Sequence, residues 1–199
     1  MDDHYFSADP AVAFRRTPVE LHVWGVELGL VTGSGVFAQG RLDVGTGVLF
    51  RETQPPGPGT YLDLGCGYGV IGLAIAAAVA DAEVWAVDVN ERAVLLANEN
   101  AAALGLSARY TAVLPHEVPD HVCFDEIWSN PPIRVGKEAL HALLLTWLPR
   151  LAQDGRAVLV VGKNLGADSL QRWLVEQGYP TQRVASAKGF RVLEVRRGA

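Results

Sequence analysis

Apolar and polar positions along the chain fall into two regimes, divided by the Pro/Gly-rich stretch 54–60. Before it, residues 19–31 hold two short runs of strand character, VELHV and VELGLV, separated around Trp24-Gly25. They predict a small antiparallel lead-in, followed by the turn-rich Thr32-Gly33-Ser34-Gly35. After the divide, strand-like and helix-like patterns alternate. A short strand at 61–64 runs through a glycine-rich turn into a helix over about 70–80. A strand at 83–89 and a helix at 91–104 follow, the helix stopped by Gly105. Strands are expected at 108–113 and 124–129, and a helix at 138–151. Residues 157–161 form an unbroken apolar run of the kind found inside parallel sheets. A helix over 168–177 ends at Gly178, and 181–185 with 190–195 can pair as a hairpin around Lys188-Gly189. Such alternation predicts an α/β fold, a doubly wound and mostly parallel sheet of seven strands with an antiparallel C-terminal hairpin.

At 199 residues, nearly half of them apolar, the expectation is one compact domain over 1–199 that needs no staples. No apolar run approaches the ~20 residues of a membrane helix, so no membrane partner is expected. The N-terminus, Met1-Asp2-Asp3-His4, lacks the basic and apolar regions of a signal peptide. Together with only two cysteines, Cys66 and Cys123, this points to a reducing cytoplasm. The formal charge of −5 excludes a general nucleic-acid binder. The cations are nevertheless uneven: Arg15 and Arg16 near the start, Arg134 and Lys137 mid-chain, and Lys188, Arg191, Arg196 and Arg197 at the end. They read either as solvated surface or as an RNA footprint.

Candidate chemistry starts at Asp63-Leu64-Gly65-Cys66-Gly67-Tyr68-Gly69, which follows a strand and opens a helix. Glycines there permit a tight turn and close backbone approach, and the helix N-terminus offers free amides. Asp88 follows Gly69 by 19 residues and ends the next strand, where a carboxylate can accept both hydroxyls of a ribose, with Val89 beside it. A nucleotide-like ligand is expected. Gly67-x-Gly69-x-x-Gly72 matches the dinucleotide fingerprint. However, Asp63 stands where it can meet a cationic amino group, and the glycines start directly after the strand, which favours S-adenosylmethionine. Cys66 reads as a small loop filler rather than a nucleophile.

The second motif is Asn130-Pro131-Pro132-Ile133, at the end of an apolar strand. Two prolines can simply terminate a strand. At the C-terminal edge of an open α/β sheet, though, the motif faces the ligand crevice. An exocyclic amine or a side-chain amide is a poor nucleophile because its lone pair is delocalised. The Asn130 side-chain oxygen and the Pro131 carbonyl can each accept one N–H from such a group. That pins the nitrogen and aims its lone pair at an activated methyl group.

On these elements the chain resembles the small-domain methyltransferase family, whose members include the ribosomal-RNA guanine amino-group methyltransferases. The resemblance rests on Gly35-Val36-Phe37, Arg41-Leu42-Asp43-x-Gly45-Thr46, the 63–69 loop, Asp88, Asn130-Pro131-Pro132-Ile133 and Lys188-Gly189-Phe190-Arg191-Val192. It implies a Rossmann-like methyltransferase sheet in which residues 60–199 form the S-adenosylmethionine-binding core. Residues 1–53 would then form the β lead-in and a cofactor lid. It also implies that Thr46, Asp63, Gly65, Cys66, Gly67, Gly69, Asp88, Val89 and Asn130 surround the cofactor. Asn130, Pro131, Pro132 and Ile133 would handle the target nitrogen. Asp43 and Thr46 could equally cap the helix that follows. The family often carries an aromatic residue where this chain has Ile133; Trp128 or Phe190 could supply stacking instead, although core packing is the favoured reading for both. The activity implied is N-methylation of an RNA guanine, with a protein glutamine amide, a small amine or a non-catalytic binding module as alternatives. His4, His22, His116, His121 and His141 show no metal-ligand spacing.

Overall fold

A computed structural model describes residues 15–36, 40–132 and 136–198. Strands β1 (Arg16–Val23) and β2 (Val26–Gly33) form a separate antiparallel hairpin in which Val23 pairs with Val26. Its turn residues Trp24 (φ 50°) and Gly25 (φ 82°) take the left-handed backbone that two-residue hairpins demand.

The main sheet holds β3 (Gly59–Leu64), β4 (Ala82–Val87), β5 (Tyr110–Val113), β6 (Phe124–Ser129), β7 (Leu151–Gly162), β8 (Thr181–Ala187) and β9 (Phe190–Arg196). Its spatial order is β5-β4-β3-β6-β7-β9-β8. The first five strands run parallel, while β9 is antiparallel to both β7 and β8. The chain winds outward from β3 through β4 to β5, then returns to place β6 on the other side of β3. This reversal creates the crevice in which open α/β sheets hold ligands.

Helices α1 (Val44–Glu52), α2 (Val70–Ala78) and α3 (Glu91–Ala103) cover one face together with the hairpin. Helices α4 (Lys137–Trp147) and α5 (Ala167–Glu176) cover the other. Alternation along β3 divides the two cores, Tyr61 facing the first and Leu62 and Leu64 the second. Buried Asn100 of α3 ties the hairpin to this body. Its Oδ1 accepts from Val31 N at 2.7 Å, and its Nδ2 donates to Val31 O and Tyr68 O, both at 2.9 Å.

The expected seven-stranded, doubly wound sheet with its closing hairpin is the one observed. Element ends shift. The second core strand stops at Val87, and the α4 helix gives way to a short 3-10 turn before β7 begins at Leu151, well ahead of the apolar run at 157–161. The early start of β7 follows from pairing: Leu151 faces Phe124 and, after a register shift, Arg156 faces Glu126 and Ala157 faces Ile127, so polar residues extend a strand whose apolar part alone is conspicuous in the sequence. Among the described residues, no helix is long and apolar enough to cross a membrane.

Candidate active site

The loops after β3 and β6 leave adjacent strand ends, with Asp63 registered against Trp128. The first loop is built from backbone. Gly65 N and Cys66 N both donate to Val87 O at 2.9 Å, fastening the loop to the end of β4. Gly69 (φ 89°) starts α2, and a Cβ there would lie 2.6 Å from the Tyr110 hydroxyl and 3.1 Å from the Ala97 methyl. No other residue fits that position. At Gly65 (φ 73°) an added Cβ would meet only Pro132 Cδ, at 3.8 Å, so this glycine opens towards the second loop.

Two carboxylates brace the loop. Asp88 Oδ2 accepts from Gly67 N and its Oδ1 from Asn90 N, each at 2.9 Å. Burial raises its pKa, and the amides of Asn90, Gly67 and Val89 oppose that rise. Asp63 is fully buried; its Oδ2 accepts from Gly72 N at 2.8 Å, while its Oδ1 has no partner. Burial pushes its pKa up to about 7, with the Asp88 charge adding and the Gly72 N–H opposing. A buried acceptor without a donor costs free energy unless a ligand supplies one.

The second loop carries Asn130. Its Nδ2 donates both protons inward, to Asp43 Oδ2 at 2.7 Å and to Thr46 Oγ1 at 3.0 Å. Asp43 is the N-cap of α1, accepting from Thr46 N at 3.1 Å through the same oxygen. Ser129, just before Asn130, donates from Oγ to Leu64 O at 2.6 Å and locks the two strand ends together. Between the loops lies a small cleft lined by Asp43, Thr46, Gly65, Cys66, Tyr68 and Asn130, among others.

Of the residues expected around a cofactor, Thr46, Gly65, Cys66, Gly67 and Asn130 line this cleft. Asp63, Gly69 and Asp88 stand behind the loop and hold its shape, and Val89 is exposed beyond the end of β4. Pro131 is buried and Pro132 half-buried beside Gly65, whereas Ile133 and Arg134 lie outside the described residues. Burial pushes the Cys66 thiol well up, which suits a filler and not a nucleophile. Trp128 is wholly buried against Trp24, so it is closed to any ligand. Half-buried Phe190 is at the rim: a Cβ on Gly45 would lie 2.8 Å from its ring and 2.9 Å from Asp43 Oδ2.

The basic C-terminal set divides. Lys188 stands in the β8–β9 turn at the same end of the sheet as Asn130, beside Lys163, whose amide donates to Gly189 O at 2.7 Å. Arg191 pairs with Asp168, and Arg196 and Arg197 lie at the far end of β9, bonded to Glu194 and Leu151 O respectively. Tyr68, which lines the cleft, was not evident as a site residue from the sequence, since an isolated Tyr in a glycine loop carries no periodic signal.

The donor set fits the group that the sequence implies. A glycine backbone faces the cleft, Asp63 has an orphaned oxygen suited to an ammonium group, and Asp88 keeps lone pairs for a diol.

Comparison with known proteins agrees. A sequence model described as the methyltransferase small domain matches residues 27–194. The Bacillus subtilis protein YbxB is 33% identical over 99% of this chain and the whole of its own length. Ribosomal RNA small subunit methyltransferase C of Ectopseudomonas mendocina is 33% identical over 85% of this chain but 51% of its own. Among solved structures, the Thermus thermophilus 16S rRNA guanine-N2 methyltransferase RsmC, in complex with AdoMet and guanosine, superposes with a TM-score of 0.79. At 24% identity it covers 96% of this chain and 52% of the RsmC chain. The chain thus spans about half the length of the ribosomal RNA methyltransferases it matches. Sheet order, glycine loop and match over most of its length make this chain a member of the methyltransferase small domain family.

Proposed function

We propose that this protein transfers a methyl group from S-adenosylmethionine to the exocyclic amino group of a guanine in ribosomal RNA. The observation that carries the reading is the Asn130 side chain. Both of its N–H groups are spent on Asp43 and Thr46, so its Oδ1 is left as an acceptor at the mouth of the cleft. Thr46, Asp63, Gly65, Cys66, Gly67, Gly69, Asp88 and Val89 form the cofactor side, and Asn130, Pro131, Pro132 and Ile133 the acceptor side, of one domain whose residues 1–53 supply a lid.

The cofactor supplies an electrophilic methyl group on a sulfonium. Asn130 Oδ1 and the Pro131 carbonyl hold the two protons of the target amine and direct its lone pair into the cleft. Positioning of this kind lowers the barrier without a strong base, because the proton becomes acidic only as the new bond forms. A stacked, paired guanine cannot present its amine, so the base enters flipped or single-stranded. Phe190 offers the stacking surface that Ile133 cannot, and exposed Lys137, Lys163 and Lys188 at the same end of the sheet offer phosphate contacts. The relatives named above support RNA as the substrate class.

The test is transfer of labelled methyl to 30S subunits, 50S subunits, bulk tRNA and a protein extract, run beside Asn130→Ala. Label in one ribosomal fraction, lost in the variant, is the expected result. Label confined to protein would overturn the RNA assignment.

A further inference from the structure

The geometry points to Asp43 as the positioning residue of Asn130, setting which way its amide faces and strengthening Oδ1 as an acceptor. The inference rests on the reading of Asn130 as the group that grips the target nitrogen.

An asparagine amide is nearly symmetric in shape, and only its hydrogen-bond partners decide whether oxygen or nitrogen faces the substrate. Asn130 has two partners. Thr46 Oγ1, at 3.0 Å, is indifferent, because a hydroxyl both donates and accepts. Asp43 Oδ2, at 2.7 Å, is a carboxylate oxygen that can only accept. Turning the amide over would set oxygen against oxygen with no proton between them. Asp43 therefore fixes Nδ2 inward and Oδ1 outward. With Oδ1 inward, the nitrogen would face the target amine, two donors opposed, and the amine would lose its grip.

The same contact is charge-assisted and short. A carboxylate drawing on the N–H side of an amide pushes electron density to its oxygen, and coupled hydrogen bonds strengthen one another in a poorly solvated cleft. Oδ1 thereby becomes a better acceptor as positive charge grows on the attacked nitrogen. Asp43 itself is held at the start of α1, where Oδ2 also accepts from Thr46 N at 3.1 Å. Gly45 next to it has no side chain, which leaves space for the Phe190 ring to close over that corner.

The test uses Asp43→Asn and Asp43→Ser. Both residues cap helices well, so α1 survives either change while the charge is lost. Two readouts are taken: steady-state methyl transfer to the RNA fraction, and the side-chain NH2 resonances of Asn130, assigned by their absence in Asn130→Ala. The expected result is a fall in kcat of about 10- to 100-fold, with KM and the cofactor Kd within about threefold. The Asn130 NH2 signals shift strongly in both variants. Unmoved NH2 signals, or a loss confined to cofactor affinity, would overturn the inference. Activity surviving in Asn130→Ala would instead remove the reading on which it rests.

Discussion

Two polar clusters on the same face of the sheet differ in one respect, the completeness of their hydrogen bonding. Towards the N-terminal ends of the parallel strands, Glu126, Arg156, Glu194 and Arg196 all have partners. Arg156 donates to Glu126 Oε1 at 3.0 Å and to Glu194 Oε2 at 2.8 Å. Trp128 Nε1 donates to Glu126 Oε2 at 2.7 Å, and Gln182 and Arg196 donate to Glu194 Oε1 at 3.1 and 3.0 Å. Around the glycine loop, by contrast, Asp63 Oδ1, Tyr68 OH and Tyr110 OH are buried with no partner among the described residues. Native interiors satisfy most of their polar groups, so we read the unsatisfied cluster as the place where the proposed cofactor completes the bonding. The first cluster holds strands together; the second, on that reading, receives a ligand.

Their responses to pH are opposite. Burial tends to raise the Glu194 pKa, but hydrogen bonds from Arg156 and Gln182 and the Arg196 charge outweigh it and hold the carboxyl below its usual range. Its stabilisation is present above the unfolded pKa and is lost as pH falls through the folded value. Asp63, raised from 3.8 to about 7, behaves inversely. Its protonated form stabilises the fold below about pH 4, and that contribution fades as pH rises towards 7.

Substitutions break this contrast in order of size. Asn130→Ala removes the acceptor at the mouth of the unsatisfied cluster and is expected to lower kcat by about 10²–10³-fold, with little change in melting temperature. Glu194→Ala strikes the satisfied cluster. It is expected to cost about 2 kcal/mol, or roughly 4–8 °C in a thermal melt, and to leave kcat unchanged. A melting temperature that holds would show that the network contributes nothing. Tyr68→Phe deletes a hydroxyl that has no partner, so the cofactor-free protein should change by under about 0.5 kcal/mol in denaturant unfolding. A loss well beyond that would mean the hydroxyl is already bonded.

Much of this was legible in the sequence, because backbone-determined features repeat locally. The Trp24-Gly25 and Lys188-Gly189 turns, the stop at Gly105 and the glycine loop each announce themselves within a few residues. Contacts between distant residues do not. Asp43 meets Asn130 across 87 positions and Asn100 reaches Val31 across 69, and neither has a periodic signature. The sequence left open whether Asp43 caps a helix or belongs to the site. It does both, because α1 begins at the cleft. Nor could spacing tell Trp128 from Phe190 as a stacking surface. Burial rules out Trp128, since alternation along β6 drives it into the core, while half-buried Phe190 begins β9 beside Gly45 and packs partly on the same core.

The most direct measurement is calorimetric titration of S-adenosylmethionine into the wild-type protein and Asp63→Asn, from about pH 5.5 to about 6.8, where a typical α-ammonium keeps most of its protons. Ionised Asp63 is the form that receives a cation. Wild-type affinity should therefore tighten as pH rises towards 6.8. Asp63→Asn should bind more than about threefold more weakly at pH 6.8, with a nearly flat pH profile and an undiminished melting temperature. Equal affinities, or the same pH slope in both proteins, would contradict the claim that the unpartnered Asp63 oxygen marks the cofactor site.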